Sequence, residues 1–165
     1  MPRIYVGTYK KYTEGSLKGA WLDLEDYNNK KQFLKACYRL HDDEDDPELM
    51  FQDVEGVPRV FYTECSIEPE FWDYLCSDIE NGVKEAYMEL FDKWDEDDCL
   101  SRYEGEFHSY EKLAEHILDS QGFFEYIPEG IRQTVEYHFN YESYGRDLEY
   151  SGDFDESNHH YFCRN

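Results

Sequence analysis

The sequence predicts an α+β fold in three small consecutive domains, and three observations lead there. Strand-like alternation with turn signals fills the first third, strongly helical apolar spacing the middle, and helices with a short strand the last third. An aromatic content of 18% also gives the chain enough apolar surface to fold despite its acidity. The expected divisions are residues 1–65, a small sheet with one helix; 66–103, an acidic helical segment; and 104–165, an α+β segment.

Residues 3–9 alternate Ile4, Val6 and Thr8 with Tyr5 and Tyr9, as a half-buried strand does. A turn at Gly15 leads to a second short strand at 19–24. Asn28 or Asn29 caps a helix to about Leu40, which puts Phe33, Leu34, Cys37 and Leu40 on one face. Residues 49–54 and 57–64 then read as two strands across a Glu55-Gly56 turn. In the middle, residues 68–81 space Phe71, Trp72, Leu75, Cys76 and Ile79 helically, with Gly82 as the stop. Val83, Ala86, Tyr87, Leu90, Phe91 and Trp94 define a second, strongly amphipathic helix.

The last third opens with a short strand near Glu106 and Phe107. Ser109 caps a helix to about Ser120 with Leu113, Ile117 and Leu118 inward, and Gly122 ends it. Pro128 opens a long helix to about Tyr144. Ile131, Val135, His138 and Phe139 lie on one side of that helix, and Tyr137, Tyr141 and Tyr144 lie nearly opposite. One stripe suffices for a core, so the tyrosines meet either a second subunit or another element of the same chain.

The strongest functional signal is charge. Thirty-nine acids against 16 Lys and Arg leave −23 in 165 residues. Residues 1–40 carry eight bases and four acids, whereas the remainder carries 35 acids and eight bases. Such a field attracts cationic surfaces and repels nucleic acid, which excludes a nucleic-acid binder and favours a partner that itself binds nucleic acid. Salt adaptation would spread the acids evenly, and the net-positive start argues against it. The chain has no long apolar run and no signal-peptide core, so a soluble cytoplasmic protein without membrane association is expected. Five cysteines with no C-x-x-C read as reduced thiols.

No catalytic constellation has diagnostic spacing, and no cofactor is expected. Asp42, Glu44, Asp46 and Asp53 approximate calcium-loop positions, but Pro47 stands where the sharp turn needs glycine, so the run reads as a solvated loop. His159, His160 and Cys163 could suggest a metal, yet adjacent histidines on a strand face opposite ways, and surface histidines are the better reading. What remains is an array of carboxylates: Asp42, Asp43, Glu44, Asp45, Asp46, Asp73, Asp78, Glu85, Glu89, Asp92, Asp95, Glu96, Asp97, Asp98, Glu111 and Glu115. At one phosphate per ~1.7 Å of duplex, the carboxylates of two copies equal the phosphates of roughly 39 base pairs. Two function classes fit: an inhibitor that imitates DNA, and an acidic adaptor or chaperone for basic proteins. The acids are interleaved with core aromatics and form no tail, which favours the first.

Both ends of the chain resemble ArdA-type antirestriction proteins. Near the N-terminus the similarity rests on Ile4-Tyr5-Val6, Lys11-Tyr12-Thr13-Glu14-Gly15 and Gly19-Ala20-Trp21. Near the C-terminus it rests on residues 141–148, Ser151-Gly152 and Ser157-Asn158-His159, while residues 42–107 match in acidity and helical character alone. The resemblance implies an elongated, three-part homodimer joined through its C-terminal part, with Tyr137, Tyr141 and Tyr144 at or beside the contact. It further implies mimicry of bent B-form DNA and occupation of the DNA-binding cleft of type I restriction-modification enzymes.

Overall fold

The computed structural model describes residues 1–164 and divides into two compact units, Met1–Asp78 and one beginning at Ile79. The fold is α+β, with two small antiparallel sheets, as the patterning implies.

In the first unit, β1 (Arg3–Thr8) lies between β2 (Ala20–Asp23) and β3 (Leu49–Glu55), pairing antiparallel with both. A bulge between Tyr5 and Val6 shifts its register against β3. Thr8 turns the chain into α1 (Tyr9–Thr13) by accepting a hydrogen bond from the Lys11 amide, and five residues are too few for that helix to show in periodicity. The Asn29 side chain accepts from the Gln32 amide at 3.0 Å and starts α2 (Lys30–Leu40), as the cap signal predicts. Phe33 and Cys37 of α2 are buried with Ile4 and Val6 of β1 and Phe51 of β3. Helix α3 (Glu70–Cys76) completes this core: Phe71 meets Phe61, and Trp72 meets Phe33.

The hairpin expected at 49–64 does not form. Gly56 turns the chain at φ 67°, but Pro58 offers no amide to a ladder and residues 59–61 curl into a 3₁₀ turn. β3 takes β1 as its partner instead.

The second unit is built around β6 (His160–Cys163), the central strand between β4 (Tyr103–Glu106) and β5 (Phe154–Ser157). Both faces of β6 are covered, which is why it reads His-Tyr-Phe-Cys rather than alternating. Phe162 meets Tyr87 of α4 (Asn81–Phe91), while Tyr161 meets Tyr110 of α6 (Tyr110–Ser120). Each such side chain contributes about 1.5–3 kcal/mol when removed from water. Gly82 is not a helix stop. It lies in the first turn of α4 because a Cβ there would come 3.0 Å from the His160 ring. Left-handed Asp92 ends α4, and Asp95 caps α5 (Glu96–Arg102) through the Asp98 amide. Ser109 caps α6, whose Leu113, Ile117 and Leu118 are buried as expected.

The single long helix expected over 128–144 is two. α7 (Glu129–Tyr137) stops at His138, and the Asn140 side chain accepts from the Ser143 amide at 2.9 Å to start α8 (Tyr141–Ser151). A strong cap within the periodic run thus overrides the period. Phe139 fills the elbow, with Phe124, Tyr141 and Tyr144 around it. The tyrosine stripe is therefore not a stripe: Tyr141 and Tyr144 pack against Phe139, while Tyr137 is 84% exposed. The face expected to point inward is open, with Ile131 54% and Val135 36% exposed. At Gly145, α8 crosses the start of α6 so closely that a Cβ would come 2.7 Å from the Glu111 amide nitrogen.

Candidate functional site

The sixteen candidate carboxylates divide by what each one touches. Glu44 is inside the fold, its side chain 6% exposed, accepting from Thr8 Oγ1 at 2.7 Å and lying 3.0 Å from Lys11 Nζ. Asp43 meets the same ammonium at 2.7 Å and Lys18 at 2.9 Å. Lys11 Nζ also donates to Nδ1 of His41, which is fully buried and whose Nε2 donates to the Val6 carbonyl. Burial opposes the Lys11 charge, but hydrogen bonds to Asp43 and Glu44 outweigh it and raise its pKa. Bonds from Lys11 and Lys18 hold Asp43 below the carboxylate range, and the bond from Thr8, then Lys11, lowers Glu44. Burial, reinforced by Lys11, lowers His41.

Donor atoms of His41, Asp43 and Glu44 lie within 4.8 Å of one another, a spacing suited to a metal ion. The Lys11 ammonium already occupies that centre as an internal cation. The loop from 42 to 46 is consequently not uniformly solvated: Asp42, Asp45 and Asp46 face water, whereas Asp43 and Glu44 are engaged.

A second anchored acid is Asp98. It accepts from Tyr87 Oη at 2.6 Å and Arg102 Nε at 2.8 Å, with Lys93 at 3.1 Å, and these donors lower its pKa to about 2. Glu89 accepts from Ser157 Oγ at 2.6 Å, Asp95 is a helix cap, and Glu115 pairs with Lys112. The other ten are Asp42, Asp45, Asp46, Asp73, Asp78, Glu85, Asp92, Glu96, Asp97 and Glu111. All are exposed, and among the described residues their carboxylates have no ion pair or hydrogen-bond partner.

Reading for acidic runs missed the C-terminal contribution. From Ile79 onward the chain holds 22 acids and seven bases, and exposed Asp119, Glu129, Glu136, Glu142, Asp147 and Glu149 stand singly on helices among apolar residues. Acids spaced this way leave no compositional run to notice.

His160 is buried rather than a surface residue, bonded through Nδ1 to the Tyr103 hydroxyl, while His159 stands in the left-handed turn between β5 and β6. The Cys163 thiol donates to Glu104, and burial with that carboxylate pushes it up to about 12. These three side chains therefore do not converge. All five cysteines are free thiols, and burial pushes Cys37 up to about 12 and Cys99 to about 11. Among the described residues, no helix is long and apolar enough to cross a membrane.

The geometry is thus that of a charged surface carried on helices and on the turns and bends between them. No curated protein matches the chain. A family model described as "Antirestriction protein (ArdA)" matches residues 4–163, nearly the whole length, and the chain therefore belongs to the ArdA antirestriction family.

Proposed function

We propose that this protein exercises its antirestriction function as a DNA mimic, competing with duplex DNA for the cleft of a type I restriction-modification enzyme in the cytoplasm. The observation that carries this reading is the set of ten exposed, unpartnered carboxylates, five of them on helices (Asp73, Glu85, Glu96, Asp97 and Glu111) and five in turns, bends and connecting segments. Charge fixed on helices presents a lasting pattern to a cationic groove, whereas an adaptor for basic proteins works with a loose acidic tail. The three-part arrangement, with divisions near residues 65 and 103, belongs to the proposal, as does protection of incoming mobile DNA. No catalytic step is required.

Binding to purified type I enzyme should exclude duplex DNA and weaken steeply with salt, because exposed charges are screened within about 10 Å at 0.1 M. A ternary complex of enzyme, duplex and this protein would overturn mimicry and favour the adaptor.

Homodimerisation through the C-terminal part is proposed on a revised surface. Ile131 and Val135, one turn apart on α7, are exposed on one face of that helix in a strongly acidic unit, and Tyr137 on its other side, Phe123 and Tyr126 are exposed as well. Tyr141 and Tyr144 pack on Phe139 at the elbow that follows α7. Combining Ile131→Asp with Val135→Asp should raise the dimer dissociation constant at least roughly tenfold, about 1.4 kcal/mol. Sedimentation showing an unchanged dimer would move the contact elsewhere.

A further inference from the structure

Helix α2 carries four cations and no acid. Two rows of side chains run along one side of it at four-residue intervals, so the members of a row neighbour one another. Lys31, Lys35 and Arg39 form one row, and Lys30, Leu34 and Tyr38 form the other. Together they line an open groove drawn wholly from residues 30–42, with Asp42 at its end. From Lys31 to Arg39 the row is roughly 12 Å long at helical rise.

This arrangement costs α2 stability. Like charges adjoin along the row, and Lys30 and Lys31 stand at the positive end of the helix dipole. Lys30 donates to Ser66 Oγ at 3.1 Å, whereas Lys31, Lys35 and Arg39 form no ion pair among the described residues, in a chain with 39 carboxylates. The floor between the charges is apolar: Leu34 is half-buried, Tyr38 is 49% exposed, and lysine and arginine stems extend the surface they begin.

We propose that this groove receives an acidic amphipathic helix of the restriction-modification enzyme, on a surface outside its DNA-binding cleft. A cleft built for phosphates is itself cationic and would repel α2. A partner helix running antiparallel to α2 matches both rows. Its apolar side chains lie on Leu34 and Tyr38, and acids one turn apart meet Lys31, Lys35 and Arg39. Its N-terminus, positive by its own dipole, then lies beside Asp42. A nucleic-acid strand fits less well. Its phosphates match the cations, but its backbone offers nothing apolar to Leu34, and it meets Asp42, Asp45 and Asp46 in a chain of −23. The proposal rests on the type I enzyme as the partner and adds, to the acidic mimic surface, a second contact of opposite sign.

The sign of one double substitution tests it. Lys31→Glu with Lys35→Glu takes the net charge from −23 to −27, since each exchange removes one positive and adds one negative charge. Charge imitation alone predicts that a cationic cleft binds this variant as well as the parent or more tightly. Docking of α2 on acids predicts binding to purified type I enzyme at least roughly tenfold weaker, with a matching loss of inhibition. Lys31→Arg with Lys35→Arg should bind like the parent. The fold should survive the reversal, because glutamate at the start of α2 agrees with its dipole and relieves repulsion along the row. Thermal melts check this.

Carbodiimide coupling of the unaltered complex gives a readout independent of any variant. The reagent takes up the water lost as an ammonium group and a carboxylate in contact condense to an amide, and it should join Lys31 or Lys35 to Asp or Glu of the enzyme. Equal or tighter binding by the glutamate variant overturns the proposal, as does a coupled complex lacking those amides. Binding of a short DNA duplex by the parent that the glutamate variant loses, with enzyme binding unchanged, also overturns it and assigns the groove to phosphates. Absence of any binding between parent and enzyme overturns both this proposal and the choice of partner. Mimicry is read separately, from whether duplex DNA and the parent exclude one another on the enzyme. A ternary complex removes mimicry, and the α2 contact stands if the reversal still weakens binding.

Discussion

Replacing Glu85, Asp92, Glu96 and Asp97 together by their amides is expected to weaken antirestriction by about two orders of magnitude, with little change in melting temperature. Exposed charge contacts are worth about 0.5–1 kcal/mol each, so four contribute about 2–4 kcal/mol, or roughly 30- to 1000-fold in affinity. The fold should tolerate the change, since these carboxylates touch no donor among the described residues. Asp92 is left-handed at φ 50°, a conformation that asparagine adopts readily. Amides at 96 and 97 weaken the favourable charge at the start of α5 but also relieve self-repulsion. Asp98→Asn should behave in the opposite way, lowering the melting temperature by disturbing Tyr87, Arg102 and Lys93. Restriction assays paired with thermal melts check both. Full inhibition by the fourfold variant would show that these acids are not the contact surface.

Lys11→Met should destabilise the first unit more than the loss of any exposed acid. The thioether leaves Asp43 and Glu44 facing one another beside His41 with the shared cation gone. In the wild type both carboxylates are lowered, so the stability they contribute is present above the unfolded carboxylate range and is lost as pH falls through their folded values. His41, lowered from 6.5, adds a loss in the same direction on acidification. Lys11, being raised, contributes until pH rises through its elevated value. The variant's deficit should accordingly be largest at neutral pH and shrink on acidification, as protonation relieves the unpaired carboxylates. Melts across the acid range check this, and a deficit independent of pH would reduce the cage to simple packing.

Where a cap and an apolar period agree, the fold was legible in the sequence. Asn29 with Phe33 and Cys37, and Ser109 with Leu113 and Ile117, set helices that the structure keeps. The elbow at His138–Asn140 was not, because Asn140 interrupts a run whose apolar spacing continues through it. Gly82 misled for a related reason: its meaning lies in His160, nearly eighty residues away. The candidate surface was legible as charge and illegible as roles. Within 42–46 five acids look alike, and only the return of β1 and α1 brings Lys11 to two of them.

The separation of anchored from unattached acids bears on how such a chain changes over generations. Glu44 and Asp98 serve particular donors, so no neighbour replaces either one. Glu85 or Glu96 serves only a field, which a carboxylate one turn away sustains nearly as well. Point changes can therefore shuffle the unattached acids with little effect on fitness, while the buried strands resist alteration. Descendants of one ancestor would then share few aligned residues along the acidic surface and yet keep its charge, their kinship written mainly in β1 and β6.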